Sequence, residues 1–348
     1  MKIVDVKGRT GSSTIRIGAS LDHLAGLVPE GKAVIITDSV VGEYYRDRFP
    51  PYETIEIGTG ERIKTLNTVQ DIYRKLMDLE ADRSTFLVGI GGGIVCDVTG
   101  FVASTYMRGI EFGFASTTLL SQVDASVGGK NGVNFLGYKN IIGVFNQPAF
   151  VLCDLDLLKT LPEKEILCGM AEIVKHGAIG DADLFVFLED HCEEILSLDT
   201  RVIERLVYDS VVLKSSIVNR DEREKGERRI LNFGHTFGHA LEKATGVPHG
   251  FAVSMGMLVA SRLSVERGKL SREEEKRIEI LLRKLKLPAN LDFDIEKALE
   301  AVRKDKKKRG DSIDFVLLRE IGSAEVEKIA VEDLMKVVRD MLIGKTER

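Results

Sequence analysis

Three of the six histidines fall close together, at His235, His239 and His249. In GHTFGHALE, His235 and His239 stand at i and i+4, on one face of a helix. His249 follows in PHG, within a turn at the start of the next helix. Two imidazoles on one face can share a metal, or one can ligate while the other stands beside it. A catalytic zinc takes about three protein ligands from N and O donors and keeps one position open, so a carboxylate from elsewhere is expected. GMAEIVKHG offers Glu172 in an otherwise apolar helical stretch, with Lys175 and His176 close behind. A buried carboxylate needs a partner. A metal would serve, and so would Lys175 or His176; spacing does not choose between them.

A second group of residues has the composition of a phosphate site. GIGGGIVCD, residues 89–97, follows a β-like run and opens a helical one. Glycines there let the backbone approach a phosphate, and the helix N-terminus adds free N–H groups and a positive dipole end. The spacing is not the GxGxxG dinucleotide fingerprint, and a tight turn that binds nothing would look the same. VGGKNGVN, residues 127–134, sets Lys130 among glycines, where an ammonium can meet a phosphate or simply occupy a surface loop.

The elements that must position these residues change character along the chain. In the first half, AVIITDS (33–39), TIEIG (54–58), TFLVGIGGG (85–93), FGFASTT (112–118) and AFVLCDL (149–155) read as strands. They alternate with helical stretches such as LNTVQDIYRKLMDLEA (66–81), which implies a parallel sheet covered on both faces. After about Leu157 helical periodicity dominates, with a helix start at Thr160 to Glu163 and one β-like pair, IDFVLLREIG and VEKIAV. The expectation is an α/β nucleotide-binding domain over 1–157 and a mainly helical, metal- and substrate-binding domain over 158–348, with a ligand cleft between them.

At 348 residues the chain is long enough for two cores. A net charge of −5 gives no reason to expect nucleic acid or an anionic membrane as partner. No apolar run reaches the roughly 20 residues of a membrane span, and the N-terminus lacks a signal-peptide pattern, so a cytoplasmic location is expected. Cys96, Cys153, Cys168 and Cys192 fit no metal or disulfide pattern and read as reduced, mostly buried thiols. Glutamine is scarce while Lys, Arg and Glu abound, a bias seen in proteins from hot environments.

GGGIVCDVTGFVASTYMRG, TTLLSQVDASVGGKNGVN, GYKNIIGVFNQP, GMAEIVKHG, NFGHTFGHALE, DKKKRG and FVLL occur in this order. Together they resemble the 3-dehydroquinate synthases, within the sugar phosphate cyclases, over nearly the whole chain. The resemblance implies zinc, or cobalt in its place, on Glu172, His235 and His249. It implies NAD against Gly92, Gly93 and Asp97, with Asp38, Glu61, Lys64, Thr117, Thr118, Lys139 and Thr160 holding other parts. Lys130, Asn140, Asn232, His239 and Lys306 match phosphate-side positions of the substrate, a phosphorylated seven-carbon keto acid. Lys214 and Arg228 match its carboxylate-binding positions, and Asp124, Lys175 and Glu224 those around the ring hydroxyls. Lys175, His239, Asp124 and Glu224 would serve the chemistry. Arg108 matches an arginine lent to the neighbouring subunit, which implies a homodimer. The implied reaction is transient oxidation by NAD, phosphate elimination, re-reduction and intramolecular aldol closure, a carbon–oxygen lyase step of the shikimate pathway toward aromatic amino acids.

Three positions depart from the family's pattern. Phe251 stands where glutamate commonly follows the His-Gly pair, so any carboxylate support for the metal shell would come from elsewhere. Cys96 replaces a glycine beside the pyrophosphate turn, and Val40 a polar residue on the adenosine side. The nearest rivals are sister cyclases such as 2-deoxy-scyllo-inosose or epi-valiolone synthases, whose substrates lack a carboxylate and do not need Lys214 and Arg228 together. An iron- or zinc-dependent polyol dehydrogenase would share GGG-x-x-x-D and the histidines, but not the phosphate-binding lysines. A silent binding module is the third alternative.

Overall fold

The structure, a computed structural model, describes residues 1–290 and 312–346. The chain forms two compact units, Met1–Ile166 with Ile203–Arg223, and Leu167–Val202 with Glu224–Arg348. The chain thus leaves the first unit near Ile166 and returns to it once, where a single passage at 157/158 was expected.

The first unit is built on a seven-stranded sheet. Its strands are β1 (Lys2–Gly8), β2 (Gly11–Ile17), β3 (Ala33–Asp38), β4 (Glu53–Ile57), β5 (Phe86–Gly91), β6 (Phe112–Ser116) and, after a separate hairpin, β9 (Phe150–Cys153). The order across the sheet is β1-β2-β9-β6-β5-β3-β4; all neighbours are parallel except β1 and β2. The central strands are continuously apolar, as two-sided cover demands: every residue of β5 is buried. Helices α1 (Ser39–Tyr45), α2 (Leu66–Asp78) and α3 (Gly93–Thr105) connect β3 to β4, β4 to β5 and β5 to β6.

Two hairpins in this unit carried little sequence signal. The β1–β2 pair holds the returning segment: Lys7 N–H donates to Asn219 Oδ1 at 2.9 Å and Arg9 N–H to Glu222 Oε2 at 2.8 Å. The stretch around VGGKNGVN, which sequence left open as a surface loop, is instead the first strand of an antiparallel pair, β7 (Lys130–Phe135) with β8 (Tyr138–Phe145). Its turn residues Leu136 and Gly137 have φ of 48° and 78°, the double positive φ of a type I′ hairpin.

The second unit contains α4 (Glu163–Gly180, from Leu167 onward), α5 (Ala182–Asp190), α6 (Cys192–Leu196), α8 (His235–Thr245), α9 (His249–Glu266) and α10 (Arg272–Lys284). It also holds the antiparallel hairpin β10 (Ser312–Glu320) and β11 (Ser323–Ala330) and a terminal helix, Val331–Thr346. The remaining helix, α7 (Thr200–Arg220), lies mostly in the returning segment of the first unit.

Close backbone approach joins the three helices that matter here. Gly234 opens α8 at φ 76°, where a Cβ would stand 2.8 Å from the Val253 carbonyl oxygen and 2.9 Å from Met257 N on α9. On α9, Gly256 faces the Gly234 backbone, and a Cβ on Gly250 would meet the Cys168 carbonyl carbon of α4 at 2.8 Å. Glycine at these contacts lets α4, α8 and α9 pack backbone to backbone.

Candidate metal centre and cofactor-binding turn

The close packing of α4, α8 and α9 sets Glu172, His235 and His249 around one point. Their ligating atoms all lie within 4.8 Å of one another. Glu172 Oε1 is 3.2 Å from His249 Nε2 and 3.5 Å from His235 Nε2. The Lys175 ammonium pairs with the other oxygen, Oε2. Of the partners the sequence offered Glu172, Lys175 is the one bonded to it, and the two histidines of the candidate metal set lie against the opposite oxygen.

The outer ring nitrogens explain why the inner ones converge. His235 Nδ1 lies 3.1 Å from the Phe233 carbonyl oxygen, and His249 Nδ1 lies 3.3 Å from Glu242 Oε2. Tautomers with hydrogen on Nδ1 donate to these acceptors and leave both Nε2 atoms free to bind a cation. Glu242 was not singled out from the sequence, although it stands three residues after His239 on the same helical face. Its carboxylate lies beside His249, whereas Phe251 offers none.

The electrostatics suit a cation. Burial alone would raise the Glu172 carboxyl, but Lys175, His235 and His249 hold it well below the usual carboxylate range. Burial and then the Lys175 ammonium push His235 down to about 3, so it is neutral. Burial acts to lower His249 as well, yet hydrogen bonds to Glu172 and Glu242 raise it to about 10. The point on which His235 Nε2, His249 Nε2 and Glu172 Oε1 converge is the place a divalent ion would take. Two imidazoles and one carboxylate form a donor set that fits zinc or a similar ion with a position left open. His239 is exposed, with its ring centroid 5.1 Å from that of His235.

Other expected site residues of this unit fall as follows. Asn232 Nδ2 donates to Glu224 Oε1 at 2.6 Å, joining two of them directly. Arg228 is only 2% exposed, in the short helical turn Glu227–Asn232. Lys306 lies outside the described residues.

In the first unit, the cofactor candidates gather at the carboxyl ends of the central strands. β4 lies on one side of β3 and β5 on the other, so the progression of strands reverses there. Crevices at such reversals are the usual ligand sites of open α/β sheets. Asp38 ends β3, Gly92 caps α3 just after β5, and Thr117 and Thr118 follow β6. Asp38 Oδ1 accepts from Val40 N and Val41 N, both at 3.0 Å, and so caps α1. Thr118 exchanges hydrogen bonds with Ser121. The buried Lys64 pairs with the half-buried Asp97, whose carboxyl is raised by desolvation against the opposing pull of Lys64. Glu61 Oε1 accepts from Asn134 Nδ2 at 2.7 Å. Thr160 hydrogen-bonds Tyr45 Oη, and Lys139 is exposed on β8.

Among the substrate candidates of this unit, Lys214 Nζ donates to Asp124 Oδ1 at 2.6 Å. Lys130 begins β7, and Asn140 sits on β8 at φ 51°. Arg108 is exposed on a tight turn in which Met107, Arg108 and Gly109 all have positive φ. All four cysteines are free. Cys96 is buried, 3.9 Å from the Gly91 carbonyl oxygen, and burial pushes its thiol up to about 12. Its Sγ also lies 3.9 Å from Ser116 Oγ at the end of β6. No helix among the described residues is long and apolar enough to cross a membrane.

Comparison with known proteins gives a consistent result over both units. The family profile described as "3-dehydroquinate synthase N-terminal" matches residues 54–168, and "3-dehydroquinate synthase C-terminal" matches 169–308. A 3-dehydroquinate synthase of Geotalea uraniireducens is 41% identical over 328 residues, 90% of each chain. One from Thermoanaerobacter pseudethanolicus is 42% identical over 338 residues, 92% of this chain and 94% of the relative. Among solved structures, a 2-deoxy-scyllo-inosose synthase complexed with carbaglucose-6-phosphate, NAD+ and Co2+ superposes with a TM-score of 0.87 at 25% identity, covering 97% of this chain and 100% of the other. A probable glycerol dehydrogenase from Sinorhizobium meliloti shares the fold at a TM-score of 0.66 and 18% identity, covering 94% of this chain and 95% of the other. The chain belongs to the 3-dehydroquinate synthase family.

Proposed function

We propose that the chain converts 3-deoxy-arabino-heptulosonate 7-phosphate to 3-dehydroquinate and phosphate, using NAD and a divalent metal, with zinc as the resident ion. The observation that carries the metal assignment is the convergence of Glu172 Oε1, His235 Nε2 and His249 Nε2, with the outer nitrogens held by Phe233 and Glu242. NAD is supported by the turn at Gly92 and Gly93, which offers the α3 N-terminus at the sheet's reversal point. When bound, NAD would accept and return one hydride and the metal would polarise a substrate oxygen.

The chain's own residues supply position and charge. Lys175 Nζ, buried beside Glu172, would hold a substrate hydroxyl oxygen as it loses its proton. His239, exposed beside His235, would pass protons on the phosphate side. Lys130 and Asn140 would hold the phosphate, and Asn232 is fixed for the same task by Glu224. Lys214, already oriented by Asp124, and the buried Arg228 would bind the substrate carboxylate. Fixing one substrate conformer is the protein's main contribution. Arg108, on its exposed turn, would reach the partner's site in a homodimer, and the proposed location is the cytoplasm.

The carboxylate distinguishes this activity from that of the sister cyclases. Phosphate release should be measured with the keto-acid phosphate and, separately, with glucose 6-phosphate. Turnover of the first alone is expected, and Arg228→Met should raise its KM steeply. Turnover of glucose 6-phosphate, with none of the keto acid, would overturn the assignment.

A further inference from the structure

One residue bonds to both the cofactor set and the phosphate set of the first unit. Asn134 lies near the end of β7. Its Nδ2 donates to Glu61 Oε1 at 2.7 Å, and its Oδ1 accepts from Asn140 N at 2.9 Å. Its own N–H donates to the Lys64 carbonyl oxygen at 2.9 Å, and Thr65 and Asn134 form a parallel bridge. Lys64 is in turn paired with Asp97 on α3, the helix whose N-terminus is the glycine turn.

An unbroken run of polar contacts therefore leads from α3 through Lys64 and Asn134 to Asn140. The residue type is demanding. A primary amide donates to the Glu61 carboxylate at one end and accepts a backbone N–H at the other. Aspartate at this position would set two carboxylates face to face, and leucine would leave both partners unpaired. Asn140 holds a left-handed φ of 51°, a conformation that costs a non-glycine residue energy, and the bond from its N–H to Asn134 helps to fix it.

We propose that Asn134 is a positioning residue that couples the cofactor loop carrying Glu61 and Lys64 to the hairpin carrying Lys130 and Asn140. The inference rests on the functional reading above, in which the first loop meets NAD and the hairpin meets phosphate through Lys130 and Asn140 and NAD through Lys139. A ligand that orders one side of a shared contact lowers the ordering cost of the other side, and the coupling must be reciprocal.

The test is NAD binding to the full chain by calorimetry, with and without saturating inorganic phosphate. For the unaltered protein phosphate should tighten NAD binding about 5-fold or more. In Asn134→Ala the two ligands should still bind, each more weakly, and the ratio should fall close to one. A purely structural role would lower the melting temperature and leave the ratio intact, which would overturn the proposal, as would a ratio of one in the unaltered protein. Failure of the unaltered protein to bind NAD or phosphate at all would instead remove the functional reading on which it rests.

Should Asn134→Ala not fold, Asn134→Asp keeps the shape and the acceptor for Asn140. Its NAD affinity should be weak at about pH 8 and recover toward about pH 5, as one of the facing carboxylates takes up a proton. Adding Glu61→Gln should remove that pH dependence. NAD affinity of Asn134→Asp that does not change with pH would overturn the coupling.

Discussion

Glu242 offers the sharpest test of the metal centre. Its Oε2 lies 3.3 Å from His249 Nδ1, and its side chain is 13% exposed. The carboxylate fixes the tautomer that turns Nε2 inward toward Glu172. Partners of this kind contribute about 10–100-fold to metal affinity. Glu242→Gln keeps an acceptor but loses the charge, and a charge-assisted hydrogen bond is roughly twice as strong as a neutral one. The glutamine variant should therefore lose about 10-fold in zinc affinity and the alanine variant about 100-fold, or about 1.4 and 2.7 kcal/mol. Competition against a chromogenic chelator measures this directly, and the visible spectrum of the cobalt form reports the ligand geometry. Wild-type affinity and an unchanged cobalt spectrum in both variants would refute the reasoning. Loss of affinity in Glu172→Gln but not in Glu242→Ala would confine the metal's support to the three ligands.

Other perturbations follow from the packing and charges. Gly256→Ala would drive a methyl into the Gly234 backbone; overpacking of this kind costs about 1–3 kcal/mol or more, and a lowered urea midpoint would show it. Lys64→Met would take the ammonium from Asp97, whose side chain is 18% exposed, costing about 1–3 kcal/mol. Adding Asp97→Asn should restore much of the loss in thermal melts, because no unpaired charge then remains. Burial acts to raise Glu222, but hydrogen bonds from Thr10, Gln147 and Arg9 N–H hold it below the ordinary glutamate value. A depressed folded value means that its stabilisation is present above the unfolded pKa of about 4.3 and lost as pH falls through the folded one. Glu222→Gln should thus be less stable by about 1–3 kcal/mol at neutral pH, with the gap closing below about pH 4 in urea titrations at several pH values.

The parts of the fold that could be read in advance are those in which one face or both are buried. AVII and FLVGIG are unbroken apolar runs because helices cover both sides of the parallel sheet. The two hairpins escaped notice because they lack such a pattern. Most of β1 and β8 is exposed or half-buried, and the best local sign of β7–β8 was the glycine after Leu136. The return of Ile203–Arg223 to the first unit depends on Asn219 and Glu222 meeting β1 and its turn, a contact some two hundred residues apart that no local pattern encodes.

The metal candidates were legible from helical spacing at His235 and His239 together with the family's motifs. Spacing left Glu172 undecided between a metal, Lys175 and His176 because it cannot show that Lys175 and His249 reach the same carboxylate from opposite oxygens. Glu242 could have been found from its place three residues after His239. Asn134 could not, since its meaning lies wholly in contacts with Glu61, Lys64 and Asn140.

The central claim is that the chain closes the carbocycle and returns its hydride. The most direct measurement mixes the metal-loaded protein with 3-deoxy-arabino-heptulosonate 7-phosphate and a catalytic amount of NAD, then follows phosphate, dehydroquinate and NADH together. Equal amounts of phosphate and dehydroquinate, with no net NADH, are predicted. Accumulating NADH, or no phosphate release from protein shown to hold metal and NAD, would contradict the account.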